Sequence, residues 1–506
     1  MTSSVSCGGL TAICNWNSRE YRMAVHIFGA VSSPSIANFA LKATADKAEE
    51  KYGTEVADTI RKNFYVDDWL KSAANERKVI HLIKDVQSAC AEGGFRLTKF
   101  VSNSRDVLKS IPTEDRAKQI QTCNLDYDEI PIERALGLQW HVSTDMFGFS
   151  TDLPSKLVTR RGILSTVSSL YDPLGMVSPV ILPAKKILQD LCVDKTLGWD
   201  DEILPELNHR WKEWLSGLPQ LNDMRIPRCL RPVEFGRIVC RQLHLFSDAS
   251  SIGYGCVAYL RLLDEGKNIN VSFLMGKSRL APVRTVTIPR LELTAASVSL
   301  QLGQQLLNQL DMEIDEVSYY TDSTTVLHYI NNEAKRFPVF VANRVRLIRD
   351  YSQPSQWKFI DSRTNPADIA SRGMSIGQFL HADTWFHGPK FLHAHESEWP
   401  DCSIPSTPAE TVQTTDLQPE MNHCMEKLIS HYSNWYRLKR ALAVYIFLRD
   451  VLHSRIKQKH KLKEYHTSTD QPFTVGRLEE AELVIIKYVQ HVAFPSECES
   501  LSDAEC

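Results

Sequence analysis

Hydrophobic and polar positions alternate between two periods along this chain, and the change of period marks its elements. From Leu243 to Tyr259 two apolar runs are separated by a short polar break, the pattern of two β-strands, and Asp248 stands where the first run ends. Ile269 to Met275 gives a third strand. Helical spacing then runs from Pro289 to Leu307, with proline in the first turn, where its missing N–H costs least, and Glu292 in that same turn. Val317 to Ile330 opens as a buried-looking strand that ends at Asp322 and continues as a helix. A further strand-like piece, Gln356 to Asp361, leads through Asn365 to Gly373, where Asp368 starts another helix.

Before this block, Arg19 to Gly29 alternates as a strand and turns at Gly29 to Pro34, and Ile36 to Asp46 is spaced as a helix. Asn63 to Trp69 reads as a hairpin that presents Asp67 and Asp68 at its tip. Arg134 to Trp140 reads as one strand. Helices are expected from Thr159 to a stop at Asp172 and Pro173, from about Pro183 to Cys192, and around Leu207 to Leu215. After Asp322 a helix is expected from Glu333 to Arg349. Ser403 to Thr415 has the composition of a linker, and Tyr432 to Leu448 and Val475 to Gln490 have helical spacing. The basic run Arg455, Lys457, Lys459, Lys461 and Lys463 between them reads as a solvated segment.

With 506 residues the chain has room for two to four domains. Its 58 basic and 61 acidic residues give a net charge of -3, which neither supports nor excludes a nucleic-acid partner, because a basic groove can hide in a neutral total. No apolar run is long enough for a membrane span and the start lacks the basic residues of a signal peptide, so a soluble intracellular protein without membrane association is expected, cytoplasmic or nuclear. The 12 cysteines are scattered without a Cys-x-x-Cys pair, so reduced structural thiols are the default.

Each acid has an ordinary account taken singly: a turn at Asp248, a helix dipole at Glu292, an N-cap at Asp322. Four acids at strand ends and helix starts, in the order strand, strand, strand, helix, strand, helix, strand, helix, are a different matter. In an α/β sheet those positions converge in one crevice.

The phrases Ser247 to Ser250, Arg290 to Leu293, Tyr320 to Ser323 and Asn365 to Gly373 resemble the RNase H domain of retroelements, of BEL/Pao type, over roughly residues 240 to 375. That resemblance implies an RNase H-like fold in which Asp248, Glu292, Asp322 and Asp368 hold two divalent ions, Mg2+ or Mn2+, with Asp248 bridging them. The implied reaction is hydrolysis of the RNA strand of an RNA–DNA hybrid. Related enzymes carry a histidine in the loop before the last acid, and Trp357 to Asn365 has none. Upstream, the turn from Phe28 to Pro34, then Tyr65 to Asp68, then Gly93 to Lys99 resemble the later palm motifs of reverse transcriptases of the same group. By that likeness Asp67 and Asp68 are metal ligands, and Tyr65, Phe28, Gly29 and Lys99 lie along nucleotide or template. The family's earlier palm aspartate lies some tens of residues before the Phe-Gly turn, and 27 residues precede Phe28 here. A partial palm, inactive alone, is expected.

The resulting reading is an α/β and α+β multidomain chain, a fragment of a Pol polyprotein. It comprises a partial palm at 1–105, a thumb or connection region at 106–240, an RNase H-like domain with a mixed sheet at 241–376, a linker at 377–420 and a helical pre-integrase region at 421–506. Tyr171 to Val180 is close to a recurrent BEL/Pao phrase and reads as packing. No zinc-binding His-x-His and Cys-x-x-Cys pattern occurs before Cys506, so no integrase chemistry is expected. Arg336, Arg344 and Arg346 are candidates to grip a nucleic-acid backbone, as alternatives to a solvated helix face. Expected partners are an RNA–DNA hybrid or other nucleic acid and other Pol segments. The second reading, from another class, is a decayed or co-opted fragment that binds nucleic acid or a partner without turnover.

Overall fold

Pro34 sits in the first turn of α1 (Ser33–Tyr52), and Gly53, at φ 86°, breaks the helix before α2 (Thr54–Lys62). The computed structural model describes residues 29, 31–135, 138–152, 155–194, 196–232, 234–332, 337–404, 428–429, 431–432, 434–458 and 474–493. The strand expected at Arg19 therefore lies outside the described residues, as does Phe28. The hairpin forms as β1 (Phe64–Tyr65) and β2 (Asp68–Trp69), with Tyr65 opposite Asp68 and Val66 and Asp67 as its turn. Val66 takes φ 57°, a conformation that strains a β-branched residue. α3 (Glu76–Glu92), capped by Asn75, packs with α1 and α2 around Ala45, Ile60 and Val86. α4 (Arg105–Ser110) and α5 (Lys118–Gln121) bury Leu108 and Ile120 in a second small core.

Where one strand is expected over Arg134 to Trp140, the chain makes two, β3 (Glu133–Ala135) and β4 (Leu138–His141), antiparallel to one another, and β5 (Met146–Gly148) pairs with β4. α6 (Arg160–Ser169) starts at Thr159, whose hydroxyl accepts from the Gly162 N–H. α7 (Ser178–Val193) begins ahead of the expected Pro183 and keeps that proline inside. Pro183 cannot donate to the carbonyl four residues back. The Pro179 carbonyl so released accepts instead from the Met374 N–H at 3.2 Å, so the irregularity docks a distant segment. α8 (Pro205–Gly217) buries Trp211 and Trp214, stacked with centroids 5.0 Å apart, and β6 (Ile226–Pro227) completes the order β3-β4-β5-β6.

A mixed five-stranded sheet follows. β7 (Ile238–Ala249), β8 (Gly253–Asp264) and β9 (Ile269–Leu280) form an antiparallel meander. After α9 (Ile288–Gln309), β10 (Glu316–Thr321) returns parallel to β7. After α10 (Thr324–Asn331) and α11 (Val339–Tyr351), β11 (Trp357–Phe359) pairs parallel to β10, giving the order β11-β10-β7-β8-β9. α11 starts after Pro338 rather than at Glu333, and residues 333–336 lie outside the described residues. α12 (Ala367–Arg372), α13 (Ile376–Phe379) and α14 (Asp383–His387) end the block.

The middle strands read as continuous apolar runs because both their faces are covered. Leu245, Ala258 and Leu260 share one core with Leu293 and Leu300 of α9 and Ile348 of α11. Phe246, Val257 and Tyr259 share another with Ile181 of α7, Ala370 of α12 and Trp385 of α14. The second core runs from Leu138 to Leu392, so the boundary expected at residue 240 separates no cores. The linker expected from 377 also begins later: Phe379, Trp385 and Leu392 are fully buried, and the Trp385 indole donates to the Met176 carbonyl at 2.8 Å. These residues belong to the compact unit Met1–Ser406.

The second unit, Thr407–Cys506, contains helices Trp435–Gln458 and Val475–Ala493, packed through Leu442, Ile446, Ala481 and Ile485. Lys459, Lys461 and Lys463 of the basic run lie outside the described residues. Among the described residues no helix is long and apolar enough to cross a membrane.

Candidate active site

Parallel pairing places two of the acids. Ser247 lies opposite Thr321 in the ladder of β7 with β10, so the next residue on each strand, Asp248 and Asp322, stands at the same end of the sheet. Asp322 does not cap α10. That work falls to Ser323, whose hydroxyl accepts from the Val326 N–H at 3.2 Å and donates to Glu292 Oε2 at 2.6 Å. Glu292 is not in the first turn of its helix: α9 starts at Ile288, and Glu292 is one position beyond the turn where the helix dipole acts. Asn365 turns the chain into α12. Its amide donates to the Ser247 carbonyl at 3.2 Å while its carbonyl oxygen accepts from the Ala367 N–H, which brings Asp368 to the same sheet end.

The four acids share one electrostatic environment. Asp248 is 5% exposed, and burial first, then the charge of Asp322, pushes it up to about 7, against the Ser371 hydroxyl that donates to its Oδ2 at 2.5 Å. Burial, opposed by Ser323 and aided by the Asp322 charge, raises Glu292. Burial also raises Asp322, against hydrogen bonds with Ser362 and Asp248. Asp368 is gripped by Arg372, whose Nε donates to Oδ1 at 2.5 Å.

Oxygen donors alone suit a hard cation such as magnesium. The Oδ1 atom of Asp322 is buried without a hydrogen-bond partner, the kind of unsatisfied oxygen a cation would satisfy. As the side chains stand, no three His, Cys, Asp or Glu groups among the described residues draw close enough to hold an ion. Carboxylates repel one another, and each of these is engaged by a protein donor: Ser371, Ser323, Ser362 or Arg372.

None of the other sequence candidates makes a hydrogen bond or ion pair with the four acids among the described contacts. Tyr65 is 58% exposed, Asp67 and Asp68 are exposed on the hairpin, and neither acid joins a metal-holding group. Gly29, at φ 88°, and Lys99, at φ 60°, are exposed. Arg344 is half-buried: its guanidinium lies 3.6 Å from the centre of the Phe340 ring and donates to the Phe340 carbonyl at 3.2 Å, which leaves it less free than a solvated helix arginine. Arg346 is exposed and 3.6 Å from Asp350, and Arg336 lies outside the described residues. Ser323, Ser371 and Asn365 fall within the quoted phrases Tyr320 to Ser323 and Asn365 to Gly373 but were given no role by sequence, and Ser362 lies in neither phrase. The signal that could have pointed to a role is closeness to an acid, as in Asp322-Ser323 and in Asp368 with Ser371 one helical turn on.

The family model described as the Pao retrotransposon-like RNaseH-like domain matches residues 159–323, a span from α6 through β10 that includes Asp248, Glu292 and Asp322. No curated protein sequence matches the chain. Among solved structures, similar ones include the N-terminal RNase H domain of Rv2228c from Mycobacterium tuberculosis, at 12% identity, covering 26% of this chain and 95% of that one, TM-score 0.19. RNase H1 of Halobacterium salinarum matches at 12% identity, covering 27% and 95%, TM-score 0.17. LC11-RNase H1, isolated from compost, matches at 18% identity, covering 28% and 98%, TM-score 0.19. At residues 159–323, which include β7 to β10 of the mixed sheet, this chain carries a Pao/BEL retrotransposon RNase H region.

Proposed function

We propose that the chain is a retrotransposon Pol fragment that hydrolyses the RNA strand of RNA–DNA hybrids, with Asp248, Glu292, Asp322 and Asp368 holding two magnesium or manganese ions. The observation that supports this reading is the β7–β10 ladder, which sets Asp248 and Asp322 at one sheet end, with the charge of Asp322 acting on both Asp248 and Glu292. When bound, the ions would activate the attacking water and stabilise the leaving ribose oxygen. The chain's own side chains perform the rest. Asp248 and the unpartnered oxygen of Asp322 form the inner, water-poor part of the site, and Asp368, 33% exposed, forms its solvent side. Ser323 fixes the rotamer of Glu292 from the neighbouring helix. Arg344 and Arg346 on α11, with Arg336, are the proposed contacts to the nucleic-acid backbone.

We read the hairpin with Asp67 and Asp68 as part of a reverse transcriptase palm that does not polymerise on its own, since two exposed carboxylates cannot by themselves position both oxygens of an in-line displacement. The second reading, binding without turnover, draws on the separation of the acids and on the loop from Asp361 to Asn365, which has no histidine. A substrate panel decides between them. With magnesium, the intact chain should cut a labelled RNA–DNA hybrid and leave duplex DNA and single-stranded RNA whole, and EDTA should abolish cutting. Binding of the hybrid without cleavage at any magnesium or manganese concentration would favour the second reading.

A further inference from the structure

We infer that Ser371 is a positioning residue for the metal site: it ties Asp248 to α12 and sets the orientation in which that carboxylate receives a cation. The inference rests on the metal-dependent reading above. Ser371 is fully buried, on the face of α12 that also buries Ala367 and Ala370. Its hydroxyl donates to Asp248 Oδ2 at 2.5 Å and lies 3.1 Å from the Asp368 carbonyl, so one side chain touches the strand that bears the first acid and the helix turn that bears the last. Its carbonyl is also used, accepting from the Ser250 hydroxyl at 2.8 Å. Ser250 in turn accepts from the Ile252 N–H at 3.1 Å, so the loop after β7 is locked to the same point.

The approach that makes this contact possible is written into β8. A Cβ on Gly255, the ladder partner of Asp248, would stand 2.5 Å from the Lys277 carbonyl oxygen of β9 and 2.7 Å from the Ala370 Cβ, and one on Gly253 would stand 2.6 Å from the Arg279 carbonyl oxygen and 3.1 Å from that of Ser371. The two glycines therefore act as a flat seat on which α12 lies close enough for Ser371 to reach the acid. A neutral hydroxyl on Oδ2 orients the carboxylate and adds no charge that would compete with a cation there. Partners of metal ligands that act in this way typically change metal affinity by about 10–100-fold when removed.

The test titrates magnesium against the melting temperature of the intact chain, starting from EDTA-stripped protein, because a cation that binds only the folded state raises that temperature. The metal-free melt checks the fold in the same experiment. Ser371→Ala should shift the magnesium midpoint upward by about tenfold. Ser371→Cys fills nearly the same volume with a much weaker donor and should shift it in the same direction, so the test survives if the alanine variant does not fold. A folded variant with the wild-type midpoint, whatever its metal-free melting temperature, would overturn the role of Ser371. A wild type with no magnesium response would instead contradict the metal reading beneath it, and cleavage of the hybrid by wild type separates the two failures.

Discussion

Asp248 is folded into a place that penalises its charge. Its carboxyl is raised to about 7, and the direction of the pH effect follows. Below the ordinary carboxylate pKa, about 4, both the folded and the unfolded chain are protonated there and nothing is lost. Between about 4 and 7 the unfolded chain gives up the proton while the folded chain retains it, so metal-free stability falls as pH rises and levels off above 7. Asp248→Asn should therefore stabilise the metal-free protein at pH 8, by on the order of 1–2 kcal/mol, and change little at pH 4. Melts in EDTA at the two pH values check this, and a variant less stable than wild type at pH 8 would contradict it.

At the scale of elements, the loop from Tyr171 to Val177 shows how this region holds together. Asp172 accepts from the Met176 and Val177 N–H groups at 2.8 and 2.9 Å, and burial nonetheless pushes its carboxyl up to about 6. The same loop pairs with an edge strand, the Gly276 N–H donating to the Leu174 carbonyl at 2.9 Å. A Cβ on Gly175, at φ 70°, would fall 1.9 Å from the Gly276 carbonyl oxygen. Gly175→Ala should cost on the order of 3 kcal/mol, through both the strained φ and the forced separation of α7 from β9, read as a lowered denaturation midpoint. A midpoint equal to wild type would show that the loop can move off the strand freely.

The sequence showed the strands of the main sheet clearly because β7 and β8 are apolar on both faces, and it showed the four acids because each follows a recognisable period change. It did not show that α7 begins before Pro183, because the carbonyl that proline releases is satisfied by Met374, nearly two hundred residues away in the chain. Nor did it show Gly253 and Gly255 as a helix seat, since a Gly-Tyr-Gly run reads locally as a turn. Ser371 stands in the phrase Asn365 to Gly373, but its contact was not legible, because its partner Asp248 is on another element.

For the molecule as a whole, a single core links the helices from α6 to α8 with the sheet and with the segment around Trp385, and the family match, beginning at residue 159, spans the same helices. The site therefore depends on chain well outside the four acidic phrases. Its Pro179 to Met374 contact and its Gly253 and Gly255 seat both hold α12, and with it Asp368, at the sheet end. The most direct measurement is cleavage of an end-labelled RNA–DNA hybrid by the intact chain in magnesium, comparing wild type with Asp322→Asn. The account predicts that wild type cuts the RNA strand and that the variant, stripped of the charge felt by both Asp248 and Glu292, loses at least about a hundredfold in rate. Equal cutting by both proteins, or none by wild type, would contradict it.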